Sequence, residues 1–150
     1  MPAAKLKLIP NSGTYPIGFY LGAVATKVKK NGKNDLCLVH SAFPCTAAGV
    51  FTTNKFCAAP VTVSQEVLKS ARISSLVINS GCANACTGSI GLDNARKMSQ
   101  AVNEALPAAI RGTVVFSTGV IGQQLQMSKV LNGISQCKSI LGETHEHVQF

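Results

Sequence analysis

The chain has 150 residues, of which 46% are apolar, and a formal charge of +8. That length suits a single domain, and that apolar share is enough to build a core, which excludes an intrinsically disordered chain. With no Trp and only two Tyr, an aromatic stacking surface for single-stranded nucleic acid is excluded, and no apolar run approaches the roughly 20 residues of a membrane span. The positive charge is scattered apart from Lys27, Lys29 and Lys30. These border the turn signal Asn31-Gly32-Lys33-Asn34, so they are expected on a solvated loop rather than in a nucleic-acid site.

In chain order, residues 1–18 carry Pro10, Gly13, Pro16 and Gly18 and predict an irregular lead-in. Phe19 to Val28 alternates small and apolar residues, as a strand does. Leu36-Cys37-Leu38-Val39-His40 predicts its hairpin partner across the Asn31–Asn34 turn. Ala47 to Thr53 predicts a third strand and Val61-Thr62-Val63 a short extended piece, with Ser64 as the N-cap of a following helix. Ile73 to Ile78 is a further strand, and a polar, glycine-containing loop is expected from Asn79 through Gly88. From Leu92, apolar residues recur at Ala95, Met98, Val102, Ala105 and Leu106, a helical spacing ended by Pro107 and Gly112. Thr113-Val114-Val115-Phe116 predicts a buried strand that opens into Ser117-Thr118-Gly119-Val120-Ile121-Gly122. Ser128 is then expected to cap a last helix with Val130, Leu131, Ile134, Cys137 and Leu141 on one face. Hairpin signals followed by two strand–loop–helix units predict an α/β fold, a mixed sheet with helices packed in layers.

Six cysteines stand at irregular spacings, at 37, 45, 57, 82, 86 and 137. Cys37 and Cys137 lie inside apolar patterns and are expected as small core residues. Met1-Pro2-Ala3-Ala4-Lys5 has no apolar core of a secretory signal, so reduced thiols in an intracellular compartment are the simpler expectation. Cys82 and Cys86 are four apart with no second Cys or His pair to complete a zinc site, so no metal is expected. The loop Asn79–Gly88 could present amides to an anion, yet it lacks the lysine and spacing of a P-loop, and a structural loop tied down by its own Asn and Ser side chains is favoured.

The chemically suggestive pair is Thr118-Gly119. A hydroxyl and a glycine amide side by side at the end of a strand can converge on one developing oxyanion. A turn with a capping hydroxyl would explain the same spacing. Ser117 or Thr118 as a nucleophile would need a base, and the candidates are His40, within an apolar strand, and His145 and His147 in an unpatterned tail. The six carboxylates show no paired arrangement for acid–base work, and Glu66 and Asp93 are expected near helix starts.

Taken in order, five segments carry a resemblance. They are Lys33-Asn34-Asp35-Leu36; Ala47-Ala48-Gly49-Val50-Phe51-Thr52-Thr53-Asn54; Ala58-Ala59-Pro60-Val61; Val77 through Gly88; and Ser117 through Gly122. Together they resemble the ornithine acetyltransferase (glutamate N-acetyltransferase) family of arginine biosynthesis, up to about Leu141. The resemblance implies the N-terminal domain of the DmpA/ArgJ-like fold, with residues 1–150 as a single, incomplete α-chain-like portion and 143–150 as an unmatched tail. It implies acetyl transfer from N-acetylornithine to glutamate by a ping-pong route, without a cofactor, through a threonine at the start of a β chain released by self-cleavage. Thr118 and Gly119 match the family's oxyanion-hole pair, whereas no threonine here matches the nucleophile. The implied partner is that β chain, or a second copy by self-association, with neither nucleic acid nor membrane involved. The alternative is a truncated, inactive homologue with a binding role. Cys82 within Asn-Ser-Gly-Cys-Ala-Asn and Gln123-Gln124-Leu125-Gln126-Met127 resemble the fungal members, which implies the mitochondrial matrix, with the cytoplasm as the alternative.

Overall fold

A computed structural model describes residues 16–106 and 112–142. Seven elements follow in chain order: β1 (Phe19–Val24), β2 (Leu36–Thr46), α1 (Ala59–Leu68), β3 (Arg72–Cys82), α2 (Gly88–Ala105), β4 (Thr113–Val120) and α3 (Met127–Ser139). The strands form one mixed sheet in the order β1-β2-β3-β4. β1 with β2 and β2 with β3 are antiparallel, and β3 with β4 is parallel through the α2 crossover. The α/β mixed sheet expected from the sequence is therefore present.

Register sorts the side chains into two faces, because neighbours along a strand point oppositely. Gly22, Leu38, Val77 and Val115 form one row, and Val24, Leu36, Asn79 and Ser117 the next on the same face. The helices cover this face. Ala95, Met98 and Val102 of α2, with Val130, Ile134 and Cys137 of α3, pack onto Leu36, Leu38, Val77 and Val115 as one core. Each such side chain contributes about 1.5–3 kcal/mol by leaving water. Between these rows lie those of the opposite face: Leu21, Val39, Leu76 and Val114, then Ala23, Cys37, Ile78 and Phe116. Phe116 there is half-exposed.

Several expectations are corrected. β1 stops at Val24 rather than Val28 because the chain wraps a buried carboxylate: Asp35 accepts Thr26 N at 2.6 Å, Thr26 Oγ1 at 2.7 Å and Lys29 N at 2.8 Å. β2 runs past His40 to Thr46, and its pairing with β3 slips between His40 and Cys45, around Pro44, which has no amide to give the ladder. Ala47–Thr53 is irregular rather than a strand. α1 begins at Ala59, so Val61-Thr62-Val63 is helical and Ser64 is no N-cap; Pro60 stands second in the helix, its fixed φ already suited to a first turn. α2 begins at Gly88, four residues before Leu92, and α3 at Met127, so Ser128 lies inside it. Leu131 is 39% exposed rather than on the buried face. Glu66 sits in the second half of α1, where it pairs with Arg96 Nη2 at 3.2 Å, and neither α1 nor α2 has an acidic residue in its first turn. Pro107, His145 and His147 lie outside the described residues. Among the described residues no helix is long and apolar enough to cross a membrane.

Candidate functional site

The expected strand ending at Phe116 continues through Ser117, Thr118 and Gly119 to Val120. Polar and glycine residues hold a strand poorly by themselves. Here they are held by a partner of the same kind, since Asn79, Ser80, Gly81 and Cys82 of β3 pair in parallel with Ser117, Thr118, Gly119 and Val120. What the sequence suggested as a loop after Ile78 is thus half strand. The two ends meet glycine to glycine. Gly119 has φ +130°, and a Cβ placed on it would lie 2.6 Å from Cys82 N and 2.7 Å from Gly81 O. Behind Gly81 stands the loop gathered around Asp35, with Lys29 Cγ 3.1 Å and Val28 Cγ1 3.2 Å from where a Gly81 Cβ would be.

The remaining loop, 83–87, acts as a frame. Asn84 Nδ2 donates to Gly91 O at 2.8 Å, and Thr87 Oγ1 donates to Asn84 Oδ1 at 2.8 Å. The same loop holds the chain leaving β4: Ala83 N donates to Val120 O at 2.9 Å, Gly122 N to Ala85 O at 2.9 Å, and Gln124 Nε2 to Thr87 O at 2.9 Å. The favoured reading of a loop tied down by its own Asn and Ser side chains holds for Asn79 and Asn84 but not for Ser80, whose hydroxyl has no partner; Thr87 supplies the other tie. Cys82 is buried and donates to Gln123 O at 3.2 Å, so it belongs to the frame. Among the described residues no group of three or more His, Cys, Asp or Glu side chains could hold a metal ion.

Thr118 and Gly119 are both exposed at this end of the sheet. Thr118 lines a cavity of about 480 Å³ between β4, the start of α1 and the segment 50–52. Its walls are mainly apolar, with Val50, Phe51, Ala58, Pro60, Val61 and Phe116, and its hydroxyls are those of Thr52, Ser64, Ser117 and Thr118. No charged side chain is among them. Ser64 was missed as a wall residue by a reading that made it a cap. From inside α1 its Oγ donates to Val115 O at 2.8 Å and accepts from Val115 N at 3.1 Å, fixing helix to strand. The proline two residues after Cys57-Ala58 was the one sequence signal that could have shown the earlier helix start.

Among the described residues, the buried side-chain polar atoms without a partner, Asn79 Oδ1, Ser80 Oγ and Ser117 Oγ, all fall on these paired strand ends. Orphaned buried acceptors and hydroxyls are uncommon and concentrate where a structure serves something besides its own stability. His40 is not near them. It pairs with Ser75, five residues before Ser80, or about 16 Å down the strand from the row holding Thr118. Its Nδ1 lies 2.9 Å from Ser75 Oγ, and burial holds its pKa below the usual imidazole value. It is a packed strand residue, not a base for Ser117 or Thr118.

Known proteins share this sequence and fold. The sequence pattern of the ArgJ family matches residues 20–149. The arginine biosynthesis bifunctional protein ArgJ, mitochondrial, of Neurospora crassa is 49% identical over 98% of this chain and 32% of its own length. The protein of that name in Aspergillus niger is 50% identical over 97% of this chain and 33% of its own length. The chain therefore spans about a third of the curated relatives it matches. Their names support a mitochondrial location for it. Among solved structures, the ornithine acetyltransferase of Mycobacterium tuberculosis complexed with ornithine superposes with a TM-score of 0.83 at 37% identity, covering 88% of this chain and 72% of that one. The arginine biosynthesis bifunctional protein of Bacillus halodurans gives 0.81 at 38% identity, with 87% and 68% covered.

Proposed function

The chain belongs to the ArgJ family, and from that premise we propose that it is the N-terminal part of an acetyltransferase that moves acetyl from N-acetylornithine to glutamate. In this reading Thr118 Oγ–H and the Gly119 N–H stabilise the oxyanion that develops when a threonine hydroxyl attacks the acetyl carbonyl. Collapse of that intermediate expels ornithine and leaves an acetyl ester, and the amine of glutamate then attacks the ester through a second oxyanion at the same place. The nucleophile comes from a β chain beginning in threonine. The carrying observation is the position of Thr118-Gly119: an exposed hydroxyl and a side-chain-free amide on a strand end braced by Gly81, at the rim of an apolar cavity. Such donors work by being fixed before charge appears, and the Asp35-bound loop, Gly81 and the 83–87 frame supply the fixing.

Half-exposed Phe116, with exposed Val120 and Ile121 just beyond it, favours a partner at this end of the sheet, the β chain or a second copy. The test is reconstitution. Supplied with a nucleophile-bearing β chain, this chain should transfer acetyl, and Thr118→Ala should lower kcat/KM by about 10²–10³ through loss of one oxyanion donor. Full turnover in that variant would remove Thr118 from the reaction. Assembly with a β chain without any turnover would leave the binding role as the surviving reading.

A further inference from the structure

Of the six cysteines, Cys37, Cys82 and Cys137 are buried, while Cys45, Cys57 and Cys86 reach solvent in part or fully. Cys45 lines a small apolar hollow with Phe19, Val39, Ile73 and Leu76. Cys57 and Cys86 instead line one cleft of about 210 Å³, together with Thr62, Thr87, Gly88 and Leu92. They arrive there from different parts of the chain, one just before α1 and the other just before α2. The two segments are joined by a backbone bond from Ala59 N to Asn84 O at 3.3 Å. Cys57 is two residues before that bond and Cys86 two residues after it, so one contact between the segments sets both cysteines on the same cleft. Cys57 Sγ is turned to Thr62 Oγ1 at 3.6 Å, itself a wall of the cleft. The proposed acetyl transfer uses neither thiol.

We propose that Cys57 and Cys86 form a two-thiol modification site that closes to an intramolecular disulfide by exchange with a small-molecule disulfide. Cys86, the exposed member, attacks first as its thiolate. Its sulfur bonds to one sulfur of the small disulfide, whose S–S bond breaks and releases one thiolate. Cys57, as thiolate, then attacks Cys86 Sγ, the mixed disulfide breaks, and the second small thiolate leaves. The two protons given up by the cysteines end on the two released thiols, so the protein is oxidised by two electrons and the small disulfide reduced by two. Burial pushes the Cys37 thiol up to about 11 and that of Cys137 up to about 12, so these two stay protonated and do not compete.

The consequence reaches the neighbouring cavity. Ala58, next to Cys57, is one of its walls, and Ala85, next to Cys86, holds Gly122 just beyond Thr118-Gly119. Oxidation would tie the start of α1 to the frame of the strand end. The test takes the full chain, reduced and then incubated with glutathione disulfide, blocked with iodoacetamide and digested without reductant. The expected product is a linked peptide pair joining Cys57 and Cys86, two hydrogens lighter than its reduced parts. The thermal midpoint should rise by roughly 5 °C or more and fall back on adding dithiothreitol. Cys57→Ser should instead accumulate glutathione on Cys86, because nothing remains to resolve the mixed disulfide. Glutathione retained separately on both cysteines of the unaltered chain, a link from Cys86 to Cys45 or to a second molecule, or no reaction at either thiol would each overturn the proposal.

Discussion

Gly119 is the residue on which the strand end turns. Two separate constraints meet there. Its φ of +130° is a backbone conformation that side chains resist, and a Cβ would in addition strike the Gly81–Cys82 peptide of the neighbouring strand. Backbone atoms cannot swing aside as a flexible side chain can, so β4 would have to leave β3. Gly119→Ala should therefore cost on the order of 2–3 kcal/mol of stability, read as a lower midpoint in urea. Gly122 separates the two causes. It has φ +80°, yet nothing lies within 4 Å of a Cβ built on it. Gly122→Ala should keep only the conformational part, about 1 kcal/mol. Equal losses in the two variants would show that the strand crossing is not what confines Gly119. The neighbouring Thr118 is exposed and needs no such constraint, which makes Thr118→Ala a test of chemistry rather than folding.

Among the elements, α1 is tied to the sheet by a polar contact as well as by packing. Ser64 Oγ occupies both the N–H and the C=O of Val115, on the edge strand that carries the candidate oxyanion pair. Ser64→Ala would leave two buried backbone groups without partners and should destabilise by about 1–3 kcal/mol in a denaturant titration; no change would mean that α1 docks by its apolar contacts alone. That contact also shows where sequence reading stops. Val77 and Val115 sit in apolar β-branched runs, and their strands were legible because such residues favour a pleated, buried surface and the sheet pairs them here. Met98, Val102, Ile134 and Cys137 announced their helices by spacing. Ser64 followed the local rule for a helix cap, but its hydroxyl answers to a strand more than fifty residues away. Val50 carries the residue type of a strand and is fully exposed, since the segment 47–53 finds no strand to pair with. Thr118-Gly119 was legible as a polar pair following an apolar strand, and the strand in fact runs through it to Val120. The pairing of Ser117–Val120 with Asn79–Cys82 was not, because only the parallel neighbour makes such residues a strand.

For the molecule as a whole, the sheet has a dry face under three helices and a second face that ends at half-exposed Phe116. Two thiols are buried where water would be needed to ionise them, Cys137 in the core under the helices and Cys37 on the other face of the sheet, and this couples global stability to alkaline pH. Burial raises Cys37 from 9.0 to about 11, and burial, followed by the charge of Cys37, raises Cys137 from 9.0 to about 12. A group whose pKa is higher in the folded than in the unfolded chain holds its proton longer when folded. Its stabilising contribution is complete below the unfolded value and is lost as pH climbs through the folded one. Between about pH 9 and 11 each thiol should therefore remove about 1.4 kcal/mol per pH unit, and above that Cys137 continues alone to about 12. The decisive quantity is a difference between variants. Cys137→Ala starts less stable at pH 8 because it opens a small hole beside Leu36 and Ile134. Its deficit against the unaltered chain should shrink as pH rises from 9 to 11, measured by urea unfolding with reductant present. A deficit that stays constant over that range would mean that the unfolded chain ionises Cys137 no more readily than the folded one, and that the core admits water at α3.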